Sequence, residues 1–406
     1  MTVTVSTTSS ASVPSDSRMP DSGASDSGVP EVVPHTSVLN AELLDRIRSR
    51  AAGYDRDNVF FTEDLTELVE AGYLADRGLA AAASDQRILA SYAPATALGI
   101  NMHLVWTGVA RILRERGDDS LTWILDDAAR GEVFAFGNSE PGNDLVLQDS
   151  ITTAVPQPDG GYTFTGTKIF TSMSPAWTRL GIFGRDNSDP DNPVLVHGFL
   201  LRSDPGYRIL DDWNTLGQRA TQSRTTVLDG ASIPADRIVR TVPVGPSADP
   251  FIFAIFAAFE TLIAAVYAGI ADRALELAVA TVHRRKSLKN DGRSYAQDPD
   301  IRWRIADAAL TLDAVGPHIR EVAADVDSLV DHGRDWFRLL VGVKNHSTEA
   351  ARIVVDQAIR VSGGSSYRAD SELARLYRDV VAGMFHPSDP ESVHATVATN
   401  LLGPID

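Results

Sequence analysis

Three short stretches concentrate residue types that can do more than fill a core. The first runs Phe136, Gly137, Asn138, Ser139, Glu140, Pro141, Gly142, Asn143, Asp144. Its amides and small polar side chains suit the edge of a planar polar ligand; the same composition also makes a turn cluster closed by Asx-type bonds. The second, Gly166-Thr167-Lys168-Ile169-Phe170-Thr171-Ser172, reads as a strand leaving a turn, with hydroxyls beside an aromatic ring. Plain strand alternation gives the same pattern. The third is Val361-Ser362-Gly363-Gly364-Ser365-Ser366-Tyr367, followed by Leu376-Tyr377-Arg378-Asp379. A double glycine after an amphipathic run is ordinarily a helix C-cap. With no cysteine in the chain, disulfides, thiolate nucleophiles and Cys-based metal sites are excluded. A dinucleotide Gly-x-Gly-x-x-Gly, a Walker loop, a His-Glu-x-x-His and a Gly-x-Ser-x-Gly are also missing, and no metal site is expected.

These stretches need elements to hold them. From Leu39 to about Arg130, apolar residues recur at helical spacing, as in Leu43, Leu44, Ile47 and Leu65, Leu68, Val69. Between Val133 and Val239 the runs become short, β-branched and aromatic, punctuated by Asp-Gly, Asn-Pro and Pro-Gly turns. Beyond Pro250 the helical period returns and persists almost to the end. The expected order is a leader over 1–36, a helical domain over 37–131, a β domain over 132–243 shaped as a barrel or sandwich, and a helical bundle over 244–406.

The leader is rich in Ser, Thr, Pro, Asp and Gly and lacks aromatic residues, so it is expected to be disordered; it has no basic start followed by an apolar run. A cytoplasmic location follows as an expectation. The 406 residues carry a formal net charge of -17, which argues against general attraction to nucleic acid or anionic membrane. Phe251 to Ala271 is apolar nearly throughout but carries Glu260 and Thr261, so it reads as a buried bundle helix, not a membrane span.

In this order the motifs resemble the acyl-CoA dehydrogenase superfamily over roughly Leu39 to Gly403. The likeness rests on Ser139 to Pro141, Gly166 to Lys168, the Asp-x-x-x-Ile-Pro-Ala-Asp-x-Ile run at Asp229 to Ile238, the Gly-Gly-x-x-Tyr at Gly363 to Tyr367, and Tyr377-Arg378-Asp379. The resemblance implies an α+β fold: a helical domain, a middle β domain and a C-terminal four-helix bundle, in a homotetramer. It also implies a flavin, FMN or FAD, with Phe136, Asn138, Ser139, Phe170, Thr171, Ser172, Arg285, Gly363 and Gly364 as cofactor-binding positions.

Departures from the dehydrogenase pattern decide the chemistry expected. Dehydrogenases of the family use a Glu as α-proton base. Here Pro387, preceded by His386, stands at its usual position, and Phe259 stands at the alternative one on the bundle helix, with Glu260 a residue later. The Arg-x-x-Phe-Gly segment that holds the ADP half of FAD is also absent after Arg285. His-Pro in that slot resembles the reduced-flavin-dependent monooxygenases, as do His103, Ser172, Asp211-Asp212-Trp213 and Gly217 to Ser223.

That branch implies flavin supplied reduced by a separate reductase, O2 and a small-molecule substrate to be C- or N-hydroxylated. His386, His103 and Ser172 are the catalytic candidates, since imidazole can act as acid or base near neutral pH. A lone His103 on an apolar helix also reads as a satisfied core residue. The alternative is an acyl-CoA dehydrogenase with bound FAD and Glu260 as base; a flavin-binding scaffold without catalysis is a third. Trp106, Phe251, Phe253 and Tyr267 are expected either to line the pocket or to fill core.

Overall fold

A computed structural model describes residues 37–145 and 147–405, so the expected leader lies outside the described residues. The first helical run is α1 Ala41–Asp57, α2 Thr62–Glu70, α3 Leu79–Tyr92, α4 Pro94–Glu115 and α5 Thr122–Ala129. Asn40 caps α1 by accepting from the Leu43 N–H, and Pro94 opens α4, where its missing N–H has no helical partner to lose. Strands follow: β1 Phe134–Gly137, β2 Thr153–Pro156, β3 Tyr162–Thr171, β4 Arg179–Asp186, β5 Val194–Leu201, β6 Tyr207–Ile209, β7 Arg224–Ile233 and β8 Ile238–Pro243.

The strands make one eight-stranded mixed sheet in the order β6-β7-β3-β2-β4-β5-β8, with β1 laid parallel on β4. The middle region is thus β throughout, as expected. Short β2 pairs with β3 on one side and β4 on the other, so the strands form one continuous ladder. Phe164, Leu180, Ile182, Val196 and Leu200 fill its own small core.

The second helical run is α6 Pro250–Arg284, α7 Pro299–Asp313, α8 Val315–Asp327, α9 Trp336–Ser362, α10 Glu372–Val380 and α11 Pro390–Leu402. Helix α6 packs against α3 and α4 as well as α9, so the helices before and after the sheet share one apolar core. Of the described helices it alone is long and apolar enough to cross a membrane, yet 89% of its most apolar window is buried inside the fold. Its uniform hydrophobicity is that of a helix surrounded on most sides. Trp106, stacked with Phe251 and donating its indole N–H to Ala135 O at 2.9 Å, is core rather than lining.

Candidate active site

The quoted motifs turn out to be halves of physical pairs. Glu140 of the Ser-Glu-Pro loop accepts from Lys168 Nζ at 2.6 Å, from Ser150 Oγ at 2.7 Å and from the Ile151 and Thr152 N–H groups at 2.9 and 3.1 Å. Both side chains are fully buried. Burial opposes the Glu140 charge, but Lys168 and these donors outweigh it and hold the carboxyl at about 2. Burial lowers Lys168 to about 8 even beside its partner. The Gly-Thr-Lys segment lies within β3, which corrects the turn expected there. Gly166 is needed for close approach: a Cβ would sit 2.4 Å from Thr152 Oγ1.

Arg378 and Asp379 tie α10 to distant parts of the chain. Arg378 Nη1 donates to Asp55 on α1 at 2.8 Å and to Leu216 O at 2.9 Å. Asp379 accepts the Gln218 N–H at 2.6 Å. The loop approaches so closely that a Cβ on Gly217 would meet Arg378 O at 2.2 Å. In turn Met173 N–H and Ser174 N–H donate to Thr221 O and Gln222 O, fixing the end of β3 against the same loop.

Ile169 N–H donates to Ser139 O at 2.9 Å, which brings the expected cofactor residues 136–139 and 170–172 together. Phe170 has a left-handed φ of 57° and is 54% exposed, its ring edge-on to Trp213. Beside it Asn138 is buried with neither amide atom paired, and the Thr171 and Thr226 hydroxyls are also without partners. Unpaired buried donors and acceptors cost about 1–3 kcal/mol each, so a ligand that pairs them is favoured. A flat heterocycle with carbonyl and ring-nitrogen edges, such as a flavin, is chemically matched to this set.

Ser172 belongs to a hydroxyl chain whose direction is fixed at its far end. Thr221 Oγ1 donates to Gln218 O at 2.8 Å, so Ser223 donates to Thr221 at 2.7 Å and Ser172 donates to Ser223 at 2.8 Å. Ser172 therefore spends its proton inward and offers lone pairs outward.

On α6, Phe259 stacks with Phe136 at a centroid distance of 5.8 Å. Glu260, one residue on and about 100° round the helix, is 1% exposed and accepts from Ser388 N–H and Oγ–H at 3.2 and 3.0 Å. Burial raises it to about 8 against the opposing Lys344 charge. His386 shares a 2.9 Å hydrogen bond between its Nε2 and the Tyr267 hydroxyl. Burial, with the Lys344 charge added, pushes the imidazole down to about 3, so it is neutral at physiological pH. Tyr267 is thus a hydrogen-bond partner, neither mere core nor apolar lining.

Two sets of expected residues stand apart. His103 is fully buried with both ring nitrogens engaged: Nε2–H donates to Leu74 O at 3.0 Å, and Nδ1 accepts the Phe134 N–H at 3.2 Å. Burial holds it at about 4, and it braces α4 to β1 through its main-chain bonds. Arg285, Gly363 and Gly364 are not gathered with Phe136 and Phe170. Arg285 follows the last residue of α6, 26 residues beyond Phe259, or about 39 Å along a helix. It rests on Tyr295 and donates to Ser362 O, against Gly363, whose φ of 72° makes it the C-cap of α9. No group of three or more His, Asp or Glu side chains placed to hold a metal occurs among the described residues.

Sequence reasoning missed four partners: Tyr267, Ser223, Lys344 and the pairing of Glu140 with Lys168. Ser223 lies in a quoted segment. For Lys344, the only signal is a lysine set among Leu340, Val341, Val343 and Ser347 on a helix.

Helices on both sides of a mixed sheet, with the site at their junction, define an enzyme of the acyl-CoA dehydrogenase-like fold. Residues 261–388 match the family model for the acyl-CoA dehydrogenase C-terminal domain. The chain is 27% identical over 370 residues to L-evernosamine nitrososynthase of Micromonospora sp., covering 86% of this chain and 85% of that one. It is also 27% identical over 383 residues to the putative acyl-CoA dehydrogenase YdbM of Bacillus subtilis, covering 86% and 92%. Among solved structures, KijD3 in complex with FMN and dTDP-3-amino-2,3,6-trideoxy-4-keto-3-methyl-D-glucose superposes with a TM-score of 0.77 at 26% identity, covering 90% of this chain and 92% of that one. Residues 261–388 thus carry the acyl-CoA dehydrogenase C-terminal domain, and the chain is similar over most of its length to flavin-dependent oxidoreductases of that fold.

Proposed function

We propose that this protein is the oxygenase of a two-component flavin monooxygenase, taking reduced FMN from a separate reductase and oxygenating a small organic substrate. An amine on a sugar nucleotide is the class its nitrososynthase relatives favour. The observation that carries the reading is the turn of Glu260 away from the Phe136–Phe259 stack and into Ser388. The other carboxylates of the surrounding motifs are also taken up, Glu140 by Lys168 and Asp379 by Gln218. Glu260 has one oxygen held by Ser388 and the other buried inside the fold, so its carboxyl is poorly placed to take a substrate α-proton. Homotetrameric assembly in the cytoplasm completes the reading.

Reduced flavin supplies the activation of O2. The chain's residues supply binding, orientation and exclusion of water. Asn138 and Thr171, whose polar groups are unpaired, would hold the polar edge of such a ring, with Phe170 and Trp213 covering it and Ser172 offering an acceptor. Phe136 and Phe259 keep water from the reacting side. His386, neutral and fixed through Tyr267, would hydrogen-bond the substrate and move a proton at a ring nitrogen without carrying lasting charge.

The test is turnover under 18O2 with FMN kept reduced by a separate reductase and a panel of amino-sugar nucleotides. One labelled oxygen in the product is expected. Product carrying oxygen from water alone, or desaturation of an acyl thioester under the same conditions, contradicts the proposal.

A further inference from the structure

We propose that Lys344 and Glu260 are positioning residues that together fix the Gly383–Ser388 segment and so set the orientation of His386. The Lys344 ammonium, on α9, is 1% exposed and donates to three main-chain carbonyls of that segment: Gly383 O at 3.0 Å, His386 O at 3.1 Å and Ser388 O at 2.5 Å. From α6, Glu260 receives both the N–H and the hydroxyl of Ser388. Tyr267, seven residues further along α6, falls within about 20° of Glu260 round the helix and takes the His386 ring. One face of α6 thus grips the segment at two points, while α9 satisfies its carbonyls.

The fit leaves no slack. A Cβ on Gly383 would lie 2.9 Å from Tyr267 Cε1 and 3.1 Å from Thr348 Cγ2. Buried carbonyls have no water to turn to when their donor is lost, and a positioned group that drifts by an ångström forfeits much of its catalytic effect. A carboxylate whose bonded oxygen holds two donors of one loop is an anchor for that loop. The residue read as a rival base thereby serves the imidazole instead. That consequence rests on His386 acting at the site, whereas the anchoring itself does not.

The experiment uses the full chain labelled with 13C and 15N in histidine, with the His386 signals assigned from the His386→Gln variant. Glu260→Gln keeps an oxygen for Ser388; the His386 signals are expected to stay near wild type and turnover to fall by no more than about fivefold. Lys344→Met alone removes the charge that eases ionisation of buried Glu260 and can fail to fold, so it is combined with Glu260→Gln. The double variant is expected to keep the wild-type circular dichroism and bind FMN, yet to shift and broaden the His386 signals and lower kcat about tenfold or more, with KM changed less. Unmoved His386 signals in the folded double variant would overturn the proposal, as would complete loss of turnover in Glu260→Gln. Responsive His386 signals in a protein that never oxygenates a substrate would uphold the anchor while rejecting the monooxygenase reading.

Discussion

The imidazole of His386 works in this account as a neutral hydrogen-bonding group. Its burial carries it to about 3, far below the pH range of activity. Its titration therefore leaves no step in kcat between pH 5 and 8. The pH–rate profiles of the wild type and of His386→Gln should have the same shape and differ in height; a limb near pH 6.5 lost in the variant would contradict this. Ser172 makes a second prediction. Because it offers lone pairs outward, it favours the reduced flavin, which carries one more ring N–H at its reactive edge. Ser223→Ala frees the Ser172 proton, so equilibrium titration should show weaker binding of reduced FMN and equal or tighter binding of oxidised FMN. Parallel losses in both would reject the directed hydroxyl chain. Ser172 and His386 were legible in the sequence as parts of motifs. Tyr267 was not, because 119 residues separate it from the ring it holds.

At the level of elements, the motifs proved to be fastenings. Glu140 and Lys168 lock the loop after β1 to β3, and breaking one side of a buried ion pair costs about 3–5 kcal/mol. Lys168→Met should lower urea-unfolding stability by that order, and adding Glu140→Gln should restore much of it; additive losses would show that no coupling exists. Asp379→Ala leaves the buried Gln218 N–H without its acceptor and should cost about 1–3 kcal/mol. The sequence misled at Gly166 because glycine usually marks a turn, whereas here it admits the Thr152 side chain within β3, just after a register shift at Phe164/Thr165. The shift from Phe259 to Glu260 was readable from helical geometry alone. What Glu260 does instead was not, since Ser388 lies on another element.

For the molecule as a whole, the alternation of helical and strand periods read the layout correctly. It was blind to the short β2 that closes a single sheet, because four residues carry too little periodicity. Buried histidines also give the fold a pH signature. His197 is fully buried with neither ring nitrogen paired, and burial, aided by the Lys168 charge, lowers it to about 3 from 6.5. Between those values the unfolded chain binds a proton that the native one refuses, so this contribution to stability is lost as pH falls below 6.5. Asp64 and Asp379, raised by burial to about 6 from 3.8, act in the opposite sense. The wild-type slope sums several such groups, and a difference measurement isolates the histidine. His197→Phe should gain on the wild type by about 1.4 kcal/mol for each pH unit below 6.5, read by urea unfolding at pH 7.5, 6 and 5. A constant difference would show that His197 is protonated in the native state.

The central claim is that no carboxylate faces the reacting side of the cofactor. Its most direct test is anaerobic titration of the FMN-loaded and FAD-loaded protein with a series of acyl-CoA thioesters, following the visible absorbance of the flavin. The account predicts that the yellow oxidised spectrum persists at every chain length; bleaching that disappears in Glu260→Gln would contradict it.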